Sequence, residues 1–556
     1  MKRGLRFVLI LVILSTLLAA CRLPGLGGKK VTVSIVYGSE KQEWLEPLVQ
    51  EYNTQKRETD EGATIVVEAT PMGSIESARA IVEGQLQPTV WSPASSIYIP
   101  VAKADWRARE HTEDLVVGEP PDLVISPVVI ALWQPMAQAL GWPDEPIGWA
   151  DIAAMAISEE GWAAYGYPEW GSFKFGHTHP EYSNSGIVSV IAEAYAGAGK
   201  QRGLTMADLQ DPQVKGFMAE VESAIIHYGS STGFFAERMF ERGPSYLSAA
   251  VMYENLVVAQ ESKRLTGQSS QMPVVAIYPK EGTFWSNHPY AILNASWVTA
   301  EQRAAAEDFQ AFLLDRPQQQ RAIELGFRPA DVNIPLTSPL DAQHGVDPGQ
   351  PQTVLQIPTA EVIASIQELW RSEAKKPVDL VVVMDVSGSM RGEKISSARS
   401  SLLQFVDLLD DRDRLEIILF SKSLVTLTPL SPLGEKRDDV RIRVSAIVEE
   451  GDTRLYGAVI AAYKELLEKG DPEHIRAMVV LSDGENTVWD VDLDYVLQQV
   501  GSSSESGTAP KIFTIAFGGD ADRDVLRRIA EITGGKQYDG DPETIYEVYS
   551  NIATFF

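Results

Sequence analysis

Asp385, Ser387 and Ser389 alternate in the stretch "MDVSGSM", directly after the apolar run "VDLVVV". Where such a strand turns into a helix, three alternating oxygens can converge on one point. Two other loops supply oxygens of the same kind. Thr453 in "GDTRLYGA" stands just before a helical stretch, and Asp483 in "LSDGENT" stands at a third strand tip, before Gly484. Two carboxylates and three hydroxyls form an all-oxygen set suited to a hard, partly hydrated cation, Mg²⁺ foremost, with Mn²⁺ and Ca²⁺ as alternatives. Two carboxylates do not fully screen such an ion, so one open position suits a carboxylate donated by a protein partner. A phosphate-binding loop is excluded, because the turn lacks the Gly-rich spacing and the lysine that such loops use.

The elements that must position these residues are legible around them. "VDLVVVMD", "RLEIILFS", "IRAMVVLSD" and "PKIFTIAFG" read as strands buried on both faces, and "EKISSARSSLLQFVDLL", "TRLYGAVIAAYKELLEKG", "DLDYVLQQV" and "DVLRRIAEIT" read as the intervening helices. Residues 377–556 are therefore expected to form a doubly wound α/β domain, whose ligands bind at the carboxyl ends of the strands. In order, spacing and strand-end position, Asp385-x-Ser387-x-Ser389, Thr453 and Asp483 resemble the metal-ion-dependent adhesion site of von Willebrand factor type A (VWA) domains. The resemblance implies a Rossmann-like fold. It also implies that Ser387 and Ser389 ligate the metal directly, that Thr453 joins in the ligand-bound form, and that the two aspartates act directly or through water.

A different module precedes it. "VTVSIVYGSE" followed by "KQEWLEPLVQEYN" reads as strand, turn and helix, "ATIVVEAT" and "ESARAIVEGQL" as a second such unit, and "PDLVISPVVIALWQPMAQALGW" as a further strand entering a helix. This alternation predicts a mostly parallel sheet. "GSE", "PMGSIES", "WSPASS" and "EYSNSG" each place Ser, Asn or Gly before a helix or bend, where free N–H groups favour an anionic or dipolar ligand and where ordinary N-capping accounts for any one of them. Together with "AVMYENLV" and "ELGFRP", these stretches resemble bilobed extracellular solute-binding proteins near the molybdate- and sulfate-type branch. The resemblance covers residues 31–340 and implies two α/β lobes closing on a small solute, an anion among the candidates. Ser39, Ser74, Ser92, Ser185 and Tyr253 match cleft-lining positions, with Asn184 beside them. Trp91, Trp170 and Trp285 point to a larger or more aromatic pocket than a tetrahedral oxyanion needs. His177 and His179 in "HTH" lack a third ligand at a recognised spacing and are taken as a solvent-facing or structural pair.

At 556 residues the chain calls for two or three domains, and 44% hydrophobic with 22% charged residues is the balance of a folded protein. A net charge of −28 excludes nucleic acid as a partner, since phosphate binding needs clustered Lys and Arg. Residues 1–21 combine a basic start (Lys2, Arg3, Arg6), an apolar run and "LAAC". This resembles a bacterial lipobox, which implies cleavage and lipidation at Cys21, the single cysteine of the chain. "RLPGLGGKK" (22–30) is a tether, and 341–376 combines a Pro/Gly-rich linker with an amphipathic helix N-capped by Thr359. The expected protein is a lipid-anchored binding protein on the extracellular face of the membrane and not an enzyme, since no nucleophile with a base partner is visible. The alternative is the substrate-binding component of an ABC-type transporter with an accessory VWA domain.

Overall fold

Val31, Val33 and Ile35 alternate inward along Lys30–Tyr37, the period of a strand with one face in a core. This strand is central in the first sheet of the computed structural model, which describes residues 29–449, 451–488, 490–501 and 509–556. The signal segment, Cys21 and most of the tether lie outside the described residues. Lys30–Tyr37 pairs in parallel with Thr64–Pro71 and Val90–Ser92, and Ala291–Ile292 closes the sheet antiparallel. The Gln42–Gln55 and Ala300–Leu314 helices cover one face, with Tyr52 edge-on to Phe309 at 4.8 Å.

The second lobe is built on Val124–Trp133, almost wholly buried. Here the expectation of a mostly parallel sheet fails. Arg328–Pro329, Ala249–Tyr253, Val274–Ile277 and Trp285–Ser286 all pair with this strand antiparallel, and only Phe175–Gly176 adds a parallel contact, to Ala249–Tyr253. Helical periodicity reports which face is buried, not which way the returning strand runs.

The C-terminal domain has the expected doubly wound form. Its strand order is Leu424–Pro432, Arg414–Phe420, Val378–Asp385, Ile475–Ser482, Lys511–Phe517, Gln537–Gly540, parallel except at the first edge. Val378–Asp385 is buried along its whole length. Glu416 on the neighbouring strand is also buried, and burial, then Glu465, lifts its carboxyl to about 7 despite Lys469. The folded state thus binds a proton that the unfolded chain releases at lower pH, so stability falls as pH rises through 7. Glu416→Gln is expected to stabilise the chain by about 2 kcal/mol at pH 8 and by nothing measurable near pH 4.5, checked by urea unfolding at both pH values.

One hydrophobic cluster runs from the second lobe through the strap into the C-terminal domain, while the first lobe and the other face of the C-terminal sheet keep cores of their own. Residues 341–376 pack as a strap: Val346 and Leu355 are buried, and Thr359 caps the Ala360–Leu369 helix through the Val362 N–H. Arg328 holds the strap by donating to the Asp347 and Pro348 carbonyls while pairing with buried Glu254 at 2.7 Å. Trp370, fully buried at the end of this strap, meets His179 and Tyr228 edge-on, and the Tyr228 N–H donates to the Phe555 carbonyl at 3.0 Å.

Candidate functional site: an oxygen-lined metal centre and an interlobe cleft

At the carboxyl end of the central strand, Asp385 accepts from the Ser387 N–H at 2.8 Å and from the Ser482 hydroxyl at 2.7 Å. The Ser387 and Ser389 hydroxyls are 2.9 Å apart, and Ser389 donates to Asp483 at 2.7 Å. Four of the five predicted residues therefore form one hydrogen-bonded chain across two strand ends. Thr453 arrives on a third loop, drawn in by the Gly388 N–H donating to the Gly451 carbonyl at 2.9 Å. Its backbone is pinned by Thr487, while its hydroxyl joins none of the bonds linking the other four. Asp385 and Asp483 are fully buried, and Ser389 lies at the exposed mouth. Burial raises Asp385 to about 6, with the Ser387 and Ser482 hydrogen bonds opposing and Asp483 adding to the rise.

Sequence reading missed two members. Ser482 orients Asp385, and its signal was its place one residue before Asp483. Lys394, early in the Glu393–Leu408 helix, sets its ammonium 2.6 Å from the outer oxygen of Asp483. A cation thus already stands on this carboxylate, and the donor set is oxygen alone, so the residues fit a hard divalent ion. Lys394→Met should raise Mg²⁺ affinity roughly tenfold by removing a competing charge-assisted hydrogen bond of about 1.5 kcal/mol, measured by calorimetric titration. Unchanged affinity would mean that the ammonium does not compete.

All six predicted cleft residues are buried. Asn184, Ser185 and Tyr253 are joined: Asn184 donates to the Tyr253 hydroxyl at 3.0 Å and accepts from Ser95 at 2.8 Å, and Thr232 links Ser185 to Tyr253. Ser39 bonds Ser231 at 2.6 Å, next to Thr232. Ser74 instead accepts from the Ala94 N–H at 2.9 Å, an internal tie, and the Ser92 hydroxyl has no partner among the described residues.

The sequence reading passed over Glu40, Lys41 and His288 at the floor of this cleft. Lys41, fully buried, donates to Glu40 at 3.0 Å and to the Ser92 carbonyl at 3.1 Å, and lies 3.3 Å from His288 Nδ1. Burial opposes ionisation of Glu40, yet Lys41 and His288 outweigh it and hold the carboxyl at about 2. Burial and Lys41 drive His288 down to about 4. Beside the network opens a groove of about 790 Å³, walled by Glu43, Glu46, Glu237 and Glu241, with Lys263 3.9 Å from Glu43.

Three tryptophans expected to enlarge the pocket lie elsewhere. Trp91 is core and donates to Ser77, Trp170 stacks on Tyr167, and Trp285 lies under Arg328. His177 and His179 are buried, which removes the solvent-facing reading.

A family model described as "Bacterial extracellular solute-binding protein" matches residues 33–328, more than half the chain. The chain belongs to the bacterial extracellular solute-binding protein family. Beyond the solute-binding module, residues 379–548 match the von Willebrand factor type A domain. An uncharacterized protein of Mycobacterium tuberculosis is 22% identical over 547 residues, covering 91% of this solute-binding protein and 74% of that one. Inter-alpha-trypsin inhibitor heavy chain H4 of Bos taurus is 28% identical over 167 residues, 29% of this chain and 18% of that protein, so the chain spans under a fifth of that curated relative. Among solved structures, a periplasmic thiamin binding protein aligns at TM-score 0.45 and 11% identity, over 62% of this chain and 97% of that one.

Proposed function

We propose that the protein is a lipid-anchored extracellular receptor whose VWA domain grips an acidic group of a protein partner through a divalent ion, while its bilobed module binds a small solute. The hydrogen-bonded chain running from Ser482 through Asp385, Ser387 and Ser389 to Asp483 carries this reading. Oxygens of that chemistry, preset by one another, can hold Mg²⁺, or Mn²⁺ or Ca²⁺ in its place, and Thr453 on the adjacent loop can join them. The ion would supply Lewis acidity toward a carboxylate. The chain's own residues supply orientation and a buried negative field.

The solute half of the reading departs from an anion. Three of the helix-start amides that could help seat one are used internally: the Ile75 and Glu76 N–H groups donate to the Tyr182 carbonyl, and the Gly186 N–H to Thr178. The groove beside the network is acidic. A small hydrogen-bonding solute, neutral or cationic, suits those surroundings better.

The test is capture of the full chain on an array of Glu- and Asp-bearing peptides, against their amide counterparts. Retention in Mg²⁺, release by EDTA and loss in Ser387→Ala/Ser389→Ala are expected. Retention indifferent to EDTA would sink the metal-bridged reading.

A further inference from the structure

A carboxylate in the middle of a helix buried on every side needs a counter-charge or a proton. Glu193, on the Asn184–Gly197 helix, is such a group: it is 0% exposed, and neither oxygen has a hydrogen-bond partner among the described residues. One ligand atom each from Glu193, Glu222 and His177 lie within 4.8 Å of one another, and all three residues are buried. They converge from separate elements, since Glu222 ends the Pro212–Glu222 helix and His177 follows the Phe175–Gly176 strand.

The surroundings prepare these atoms as ligands. His177 Nδ1 lies 2.7 Å from the Thr178 carbonyl, so that nitrogen carries a hydrogen and Nε2 is the one turned towards Glu222. Metal-bound histidines are oriented in this way by an outer carbonyl. Nε2 stands 2.8 Å from Glu222 Oε1, two acceptors that need a proton or a cation between them. The Tyr228 hydroxyl donates to the other Glu222 oxygen at 2.6 Å.

We propose that His177, Glu193 and Glu222 bind one divalent cation of borderline softness, Zn²⁺ first among them, inside the second lobe. One imidazole and two carboxylates neutralise such an ion and match its preference for mixed nitrogen and oxygen donors. The cation takes the place of the proton between His177 and Glu222 and gives the Glu193 oxygens their partner. This centre differs in donor type from the all-oxygen set around Asp385. It also underlies the joint between the modules: Tyr228, bonded to Glu222, meets Trp370 at 5.3 Å and donates its N–H to Phe555. A bound ion there stiffens the surface on which the C-terminal domain rests.

The experiment uses the full chain carrying Ser387→Ala/Ser389→Ala, which silences the other centre. It is loaded with Zn²⁺ and dialysed, and the metal is counted by mass spectrometry. Co²⁺ replacement gives a visible absorption band as a second readout. One retained equivalent, a Co²⁺ band and a melting temperature raised by Zn²⁺ are expected, with all three lost in Glu193→Gln and in His177→Ala. Should a variant fail to fold, anomalous diffraction at the zinc edge on the unsubstituted chain decides: a peak among the three side chains supports the site, and its absence overturns it. A folded Glu193→Gln protein with undiminished zinc also overturns it, leaving Glu193 a protonated acid.

Discussion

Truncating Trp370 to alanine is expected to cost about 3–5 kcal/mol and to resolve one thermal transition into two. Trp370 is fully buried, and its indole N–H makes no hydrogen bond among the described residues, so the loss is of packing alone. Its ring fills the space between His179, 4.9 Å away, and Tyr228, 5.3 Å away. Direct bonds also cross the joint, from the Tyr228 N–H to Phe555 and from Arg238 to the Gly534 and Gly535 carbonyls. Gln367 donates to the Pro180 carbonyl at 2.9 Å, and the Lys215 to Glu373 and Arg371 to Glu181 pairs are exposed enough to contribute little. With the indole gone, each module should unfold at its own temperature in differential scanning calorimetry. A single transition lowered by a degree or two would mean that the coupling lies elsewhere in the shared core.

Arg328→Met should be comparably severe, about 3–5 kcal/mol, because it strands a charge. Glu254 is 0% exposed and receives both Arg328 Nε at 2.8 Å and Nη2 at 2.7 Å, with Tyr278 as a third donor. A methionine keeps most of the volume over Trp285 but leaves that carboxylate with Tyr278 alone. The same change frees the Asp347 and Pro348 carbonyls, so the strap should gain protease sensitivity near residue 347. Adding Glu254→Gln should restore a large part of the lost stability, since the stranded charge is then absent. Urea unfolding of the two single variants and the double variant measures the coupling, and strict additivity would contradict the account.

The C-terminal centre was legible because its chemistry is local. Asp385, Ser387 and Ser389 lie within five consecutive positions, Thr453 stands just before a helix and Asp483 just after a strand, boundaries that apolar periodicity locates. Lys394 was not legible, since a lysine early in an amphipathic helix is ordinarily solvent-facing, and only the close approach of the Asp483 loop gives it a partner. In the cleft, Asn184, Ser185 and Tyr253 could be named singly. What joins them cannot be read along the chain: Ser39 meets Ser231, and Lys41 meets His288 some 247 positions away. His177 shows the same limit. No metal spacing surrounds it, because Glu193 and Glu222 reach it from two helices; the one sequence sign was an acid inside the apolar run "SVIAEAYA".

The central claim is that the Asp385 centre holds a divalent cation. Calorimetric titration of Mg²⁺ into the full chain, beside Asp483→Ala and Ser387→Ala/Ser389→Ala, tests it most directly. The account predicts saturable one-site binding in the unsubstituted chain and at least a hundredfold weaker binding in both variants, with their melting temperatures little changed. Equal isotherms in all three proteins would contradict it.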